Sequence, residues 1–183
     1  MSKSDLPAHY TSTLRTLLRF AAVMCVVALL MGISYQESSK KLTLEMDPGL
    51  RLSATLRLAL LHGHVFLTAV LIPMAAAGAL LIARRIGGSE LRPRTLKWLT
   101  RVYLPSVCLT LLMMVIKAYQ LLLAVRGGES DLAAIQERFF FGSQAWRHAI
   151  YGVVHMFMGV GLSVFFIAIS RSVSKARLER QVG

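Results

Sequence analysis

A run of 25 residues without Asp, Glu, Lys or Arg, residues 58–82, most constrains what this chain can fold into. About 20 apolar residues are enough for a helix to cross the hydrocarbon core of a bilayer. His62 and His64 lie close to the start of this run. Because ionisable groups in lipid are costly, they usually face the interior of a helix bundle, pair with a partner, or serve a function. The run therefore predicts a membrane helix that carries part of a site.

Three further apolar runs indicate that the whole chain is a membrane protein. With 183 residues, of which 55% are hydrophobic, the chain is too apolar for a soluble domain and too short for more than one compact unit. We expect an all-α polytopic membrane protein, a four-transmembrane-helix up-down bundle in which residues 1–183 form a single membrane domain. The expected helices cover approximately residues 17–34, 58–82, 102–125 and 148–170.

The basic residues indicate the orientation of these helices. The formal net charge of +12 comes from Lys and Arg that mostly flank the apolar runs, which favours a topology signal over binding to nucleic acid. The N-terminal segment, the 84–101 connection and the C-terminal tail hold 13 of them, whereas the 35–57 and 126–147 connections hold seven. The positive-inside rule therefore predicts that both termini lie in the cytoplasm.

Local signals add detail to this topology. Residues 47–49, Asp-Pro-Gly, are typical of a turn in the 35–57 connection. Pro73 should kink the second helix unless a neighbour satisfies the carbonyl that it frees. Residues 132–141 could form a short interfacial helix, with Phe139, Phe140 and Phe141 at the level of the lipid headgroups.

The ionisable side chains of the second, third and fourth helices are predicted at similar depths. At 1.5 Å per residue, His62 and His64 lie about 7–10 Å from the outer start of their helix. Lys117 and His155 each lie about 13 Å from the outer ends of theirs, and His148 lies at the mouth of the last helix. We therefore expect these groups to collect in the outer half of the bundle.

The last helix presents two histidines and two glycines on one stripe. His148 and His155 are seven residues apart, close to two helical turns, and Gly152 and Gly159 continue the same face. This pattern predicts an inward face with room for a cofactor. Plain close packing of helices would give the same pattern.

His62 and His64 cannot both point at one site on a straight helix. Residues two apart on a helix diverge by about 160°. We therefore expect one imidazole to face the bundle centre and the other to face a neighbouring helix or the interface, unless Gly63 loosens the backbone between them.

Two kinds of cofactor suit these residues. Haem b needs one imidazole from each of two facing helices, slim residues beside the ring and cations for its propionates. His64 and His155 are the favoured metal ligands, with His62 and His148 as their alternatives. Cations for the propionates lie at the outer boundary, at Arg57, Arg126 and Arg147. A Cu or Zn ion is the second candidate, since three or four imidazoles suit those metals.

Lys117 bears on the choice between these cofactors. An ammonium group disfavours a bare metal cation close to it. It could instead pair with a haem propionate or a quinone-derived oxygen, or it could carry protons.

The sequence favours a binding role over catalysis. No carboxylate lies within the second, third and fourth helices, and the chain has no nucleophile motif or phosphate-binding loop. The leading hypothesis is an inner-membrane protein that binds haem b or a transition metal for electron transfer or redox sensing. The alternative is a non-catalytic membrane protein, a transporter subunit or assembly factor, whose His/Lys cluster is a hydrogen-bonded packing network. Besides the bilayer, a second copy of the chain or a membrane complex could be the partner.

Three segments carry a resemblance to a known family. The stretches HGHVFLTAV, VYLPSVCLTLLMMVIKAYQ and RHAIYGVVHMFMGVGLSVFF resemble an uncharacterised family of small bacterial four-helix integral membrane proteins with a His-x-His helix. The resemblance covers roughly residues 55–172, and it implies a bacterial inner membrane but no activity. The His-x-His motif alone is also distantly similar to segments of haem-binding membrane proteins.

Overall fold

The chain is all-helical. The computed structural model describes residues 6–40, 42, 46–139 and 142–182, with backbone only at residues 144 and 175–182, and this part of the chain contains no strand. Four helices are long and apolar enough to cross a membrane. In chain order the helices are α1 (Ala8–Lys40), α2 (Pro48–Arg85), α3 (Pro93–Arg126), the short α4 (Leu132–Glu137) and α5 (Gln144–Val182).

All four predicted helices exist, but they extend well beyond the apolar runs. The second begins at Pro48 rather than at residue 58, because the predicted turn at 47–49 is a helix start: Asp47 Oδ1 accepts a hydrogen bond from Leu50 N at 2.9 Å. The basic 84–101 connection is likewise mostly helix, since α3 begins at Pro93. The predicted interfacial helix ends early, at Glu137, and residues 140 and 141 lie outside the described residues.

α2 and α3 each contain a π-helical segment shortly before a proline. The segments are Val65–Leu71, before Pro73, and Leu99–Tyr103, before Pro105. In a π-helix each N–H bonds to the carbonyl five residues earlier, and proline has no N–H to offer. Each helix can therefore continue through its proline, but one carbonyl loses its partner.

In α2 a tyrosine from α3 supplies the missing donor. Ile72 N donates to the Leu67 carbonyl, so the next carbonyl, that of Thr68, is the one that Pro73 leaves free. Tyr103 Oη donates to this Thr68 carbonyl at 2.5 Å. Since the freed carbonyl has a partner, α2 continues as one helix to Arg85.

This arrangement predicts a coupled effect of Tyr103 and Pro73. Tyr103→Phe leaves the Thr68 carbonyl without its donor and should lower the free energy of unfolding in detergent micelles by about 1 kcal/mol. Pro73→Ala restores a backbone N–H that can reach the same carbonyl. In the Tyr103→Phe background, Pro73→Ala should therefore cost less than it does in the wild-type chain. Strictly additive effects in denaturation measurements would contradict this assignment.

The long helices pack in sequence order, and the last one splays. α1 packs on α2, α2 on α3, and α3 on α5. α5 also contacts the Ile72–Arg85 part of α2, but among the described residues it has no substantial contact with the Pro48–Leu71 part. A Cβ at Gly161 would lie only 3.0 Å from Tyr103 Cβ, so α5 crosses α3 closely at this glycine. From the crossing toward its start, α5 leaves a gap beside α2.

Hydrogen bonds join the helices at the end of the molecule that lies opposite the gap. Leu91 N donates to Tyr10 Oη at 2.7 Å, which joins the 86–92 connection to α1. Ser172 Oγ donates to the Ser89 carbonyl at 2.5 Å, which joins the same connection to α5. These bonds hold the helices together at this end, and the gap lies toward the other end.

Candidate functional site

The gap between α2, α3 and α5 is a cavity of about 330 Å³. Sites for small molecules and cofactors typically occupy roughly 300–1,000 Å³. Apolar side chains form much of the wall, and polar ones are spaced one to two turns apart on each helix. The apolar residues are Leu60, Leu111, Met114 and Met158, and the polar ones are Arg57, His64, Thr68, Thr110, Lys117, Tyr151 and His155.

The cavity has a charged end, which we call its mouth, and an uncharged end, which we call its deep end. Arg57, Lys117 and Tyr151 lie at the mouth, and Thr68 and Thr110 lie at the deep end. Arg57 and Thr68 are eleven residues apart on α2, which corresponds to about 16 Å along the helix. The cavity is therefore elongated, and its two histidines lie between the two ends.

The two histidines of the cavity have the same ring hydrogen bond. His64 Nδ1 lies 2.8 Å from the Leu60 carbonyl, and His155 Nδ1 lies 2.7 Å from the Tyr151 carbonyl. Because a carbonyl oxygen can only accept, each Nδ1 must carry the hydrogen. In the neutral ring this leaves the Nε2 lone pair available, which is the arrangement of most metal-ligating histidines.

The ammonium of Lys117 lies between two aromatic rings. Its Nζ is 5.9 Å from the centroid of the Tyr151 ring and 5.9 Å from that of the Phe139 ring, both within cation–π range. The Tyr151 ring in turn lies 6.2 Å from the His155 ring, measured between centroids. Lys117, Tyr151 and His155 thus form a continuous wall across α3 and α5.

The deep end of the cavity holds a polar atom without a partner. Thr110 is only 6% exposed, and its Oγ1 has no hydrogen-bond partner in the described part of the chain. A buried hydroxyl left unpaired costs free energy. Thr110 therefore offers a hydroxyl to which a ligand atom or a trapped water could bond.

The structure divides the predicted site residues into two groups. His64, Lys117 and His155 line one cavity. His62 points elsewhere: its Nδ1 bonds to the Ala59 carbonyl at 2.8 Å, and its ring lies near Gly32 of α1. His148 is exposed and does not line the cavity.

The glycine stripe of α5 is exposed rather than inward-facing. Gly152 and Gly159 flank His155 on its helix, and a Cβ at either position would meet nothing within 4 Å. Within the described residues, neither glycine is therefore a helix-packing contact. Both leave open space beside the cavity wall.

Sequence reasoning gave no site role to three polar residues that line the cavity. Tyr151 is four residues before His155, Thr68 is four after His64, and Thr110 is seven before Lys117. Spacings of four and seven keep residues on one helical face. The periodicity that linked His148 to His155 could have indicated them.

A bare metal ion held by protein side chains alone is not supported. Among the residues that the structure describes, no three His, Cys, Asp or Glu side chains come together as a metal site. The expected Cu or Zn site with three or four imidazoles therefore has no support. Two imidazoles are all that axial ligation of a haem requires.

Fold and site together define a class: an all-helical chain with four potential membrane spans and a polar cavity between three of them. Comparison with models of protein families, with curated proteins and with solved structures finds no match. The resemblance to small bacterial four-helix membrane proteins therefore stays a prediction.

Proposed function

We propose that the four long helices cross a bacterial inner membrane as an up-down bundle with both termini in the cytoplasm. The unequal distribution of Lys and Arg between the two sets of connections supports this orientation. In this arrangement the mouth of the cavity, with Arg57 and Lys117, lies toward the outer surface. The tied end, with residues 86–92, lies toward the cytoplasm.

We propose further that the cavity binds one haem b for electron transfer or redox sensing. His64 of α2 and His155 of α5 are its axial ligands. The observation that carries this proposal is that both imidazoles line one cavity with Nδ1 bonded to a backbone carbonyl of their own helix. That bond orients the ring and leaves Nε2 for the iron.

The surroundings of His155 suit a flat macrocycle larger than the cavity itself. Gly152 and Gly159 lie about one turn to either side of His155 and leave open space. A porphyrin edge could therefore extend over α5, and Leu111 and Met114 would offer apolar surface to the part inside the cavity. Lipid would cover the remaining edge.

The alternative function, a packing network in a non-catalytic protein, has less support from the contacts. Within the described residues, the hydrogen bonds between helices do not involve the side chains of His64, Lys117 or His155; two examples are the bond from Tyr103 to the Thr68 carbonyl and the bond between Ser34 and Tyr119. In the same part of the chain, the rings of His64 and His155 bond to carbonyls of their own helices. A cluster whose members line a cavity stabilises helix packing poorly.

A difference spectrum tests the proposed function. The full chain is purified in detergent, incubated with haemin and separated from the excess. We expect one haem per chain and a reduced-minus-oxidised spectrum typical of two imidazole ligands. A protein that takes up no haemin, or one whose bound haem keeps an open axial position, would contradict the proposal.

A further inference from the structure

Two cations lie at the mouth of the cavity. Arg57 of α2 and Lys117 of α3 both line the large cavity and also a small neighbouring one under α4. Both side chains are half-buried. Two positive charges thus share a site whose remaining wall combines apolar side chains with uncharged polar ones.

Neither cation has a carboxylate partner in the described part of the chain. The ion pairs in that part of the chain are Lys40 with Glu37, Arg138 with Glu129 and His9 with Glu90. None of these residues lines the cavity. The rings of Phe139 and Tyr151 offset only part of the charge on Lys117. Half-buried like charges repel each other and lose hydration, so an anion between them would be strongly favoured.

Among the residues that the structure describes, the deep end of the cavity has no charged side chain and therefore suits a different kind of ligand group. Thr110 lies seven residues from Lys117, about 10 Å deeper along α3, and its buried hydroxyl has no hydrogen-bond partner among the described residues. Between the two positions the wall carries Leu111 and Met114. A matching ligand is an amphiphile with its anionic end at the mouth and its apolar body inside, and a ligand atom or trapped water completes the bonding of Thr110.

We infer that Arg57 and Lys117 form an anion subsite that recognises the carboxylates of the ligand. The inference takes the identity of the ligand from the proposed function, in which the carboxylates are the two porphyrin propionates. The subsite itself depends only on the cavity and its charges. Each cation can donate charge-assisted hydrogen bonds, which are roughly twice as strong as neutral ones. The subsite therefore also sets which way round the ligand enters.

Three porphyrins and two variants test this inference. The probes are haemin, haemin dimethyl ester, which lacks the carboxylates, and protoporphyrin IX, which keeps them but has no iron. The test variant is Arg57→Gln with Lys117→Met. The control variant, Arg51→Gln with Arg94→Gln, removes the same charge from α2 and α3 at residues that do not line the cavity. Binding is measured in a non-ionic detergent, by absorbance for the haemins and by fluorescence for protoporphyrin IX.

We expect the test variant to bind haemin and protoporphyrin IX about 10- to 100-fold more weakly than the wild-type chain, and the control variant to bind them nearly unchanged. The dimethyl ester should bind the wild type weakly, and the test variant should lose little further affinity for it. An ester that binds the wild type as tightly as the acid would overturn the inference. So would equal losses in the test and control variants.

The probes also separate this inference from the proposed function. If protoporphyrin IX depends on Arg57 and Lys117 but haemin shows no two-imidazole spectrum, the anion subsite stands and axial ligation by His64 and His155 is wrong. If haemin shows that spectrum and the ester binds equally well, axial ligation stands and the anion subsite is wrong. A chain that binds none of the three porphyrins overturns both.

Discussion

Replacing His64 or His155 with alanine is expected to abolish the two-imidazole spectrum of bound haem. Each replacement removes one axial ligand and leaves the iron with an open position, which changes its spin state and lowers haem affinity. The measurement is the difference spectrum of each reconstituted variant together with its haem content. The double variant should retain only the weak binding that the cavity wall provides.

His62→Ala is the matched control for these variants. His62 has the same kind of ring hydrogen bond as His64 and lies only two residues away, but it faces α1 rather than the cavity. Its removal should therefore leave the spectrum and the haem content unchanged. A spectrum that survives in His64→Ala and disappears in His62→Ala would show that the second axial ligand is wrongly assigned.

The sequence predicted the number of long helices but not where they begin and end. A membrane core demands about 20 apolar residues and says nothing about polar helix beyond it. At residues 47–49 the sequence carried a signal for the start of α2, but the signal was ambiguous. Asp-Pro-Gly is typical of a turn, yet aspartate followed by proline is equally typical of a helix start, and here Asp47 caps α2. Only the packing of Ala54 and Leu58, both buried, settles the matter.

The residues that line the cavity were predictable only in part, and its shape was not predictable. Depth grouped His62, His64, Lys117, His148 and His155, and the structure places three of them, His64, Lys117 and His155, on one cavity. Helical divergence also indicated that His62 and His64 cannot share a site. The splay of α5 was not predictable, because it follows from its close crossing with α3 at Gly161. That crossing leaves His148 outside the cavity, although it lies on the same face as His155.

The π-helical segments could not be predicted from the periodicity of apolar residues either. An apolar run looks the same whether its carbonyls bond four or five residues ahead. Pro73 signalled only that some carbonyl would be free, and the identity of the donor, Tyr103, depends on a contact between α2 and α3. Bulges of this kind are frequent at functional sites, and here the segment holds Thr68 at the deep end of the cavity.

Two glycines of α5 should respond to leucine in opposite ways. At Gly161 a Cβ would lie 3.0 Å from Tyr103 Cβ and 3.1 Å from its backbone N, so Gly161→Leu must push α5 away from α3. We expect it to lower the free energy of unfolding by about 3 kcal/mol and to weaken the bond between Tyr103 and Thr68. At Gly159 nothing lies within 4 Å of a Cβ. Gly159→Leu should therefore keep or slightly raise stability, by up to about 1 kcal/mol from helix propensity.

The same two variants, Gly161→Leu and Gly159→Leu, separate an effect on stability from an effect on haem binding. A leucine at Gly159 fills the open space beside His155 that a porphyrin edge would occupy, so it should block haem uptake in a fully folded protein. Thermal unfolding in micelles and haem titration of both variants give the two readouts separately. A folded Gly159→Leu chain that still binds haem as the wild type does would mean that the ligand does not extend over this face of α5. Normal stability of Gly161→Leu would mean that α3 and α5 do not cross there.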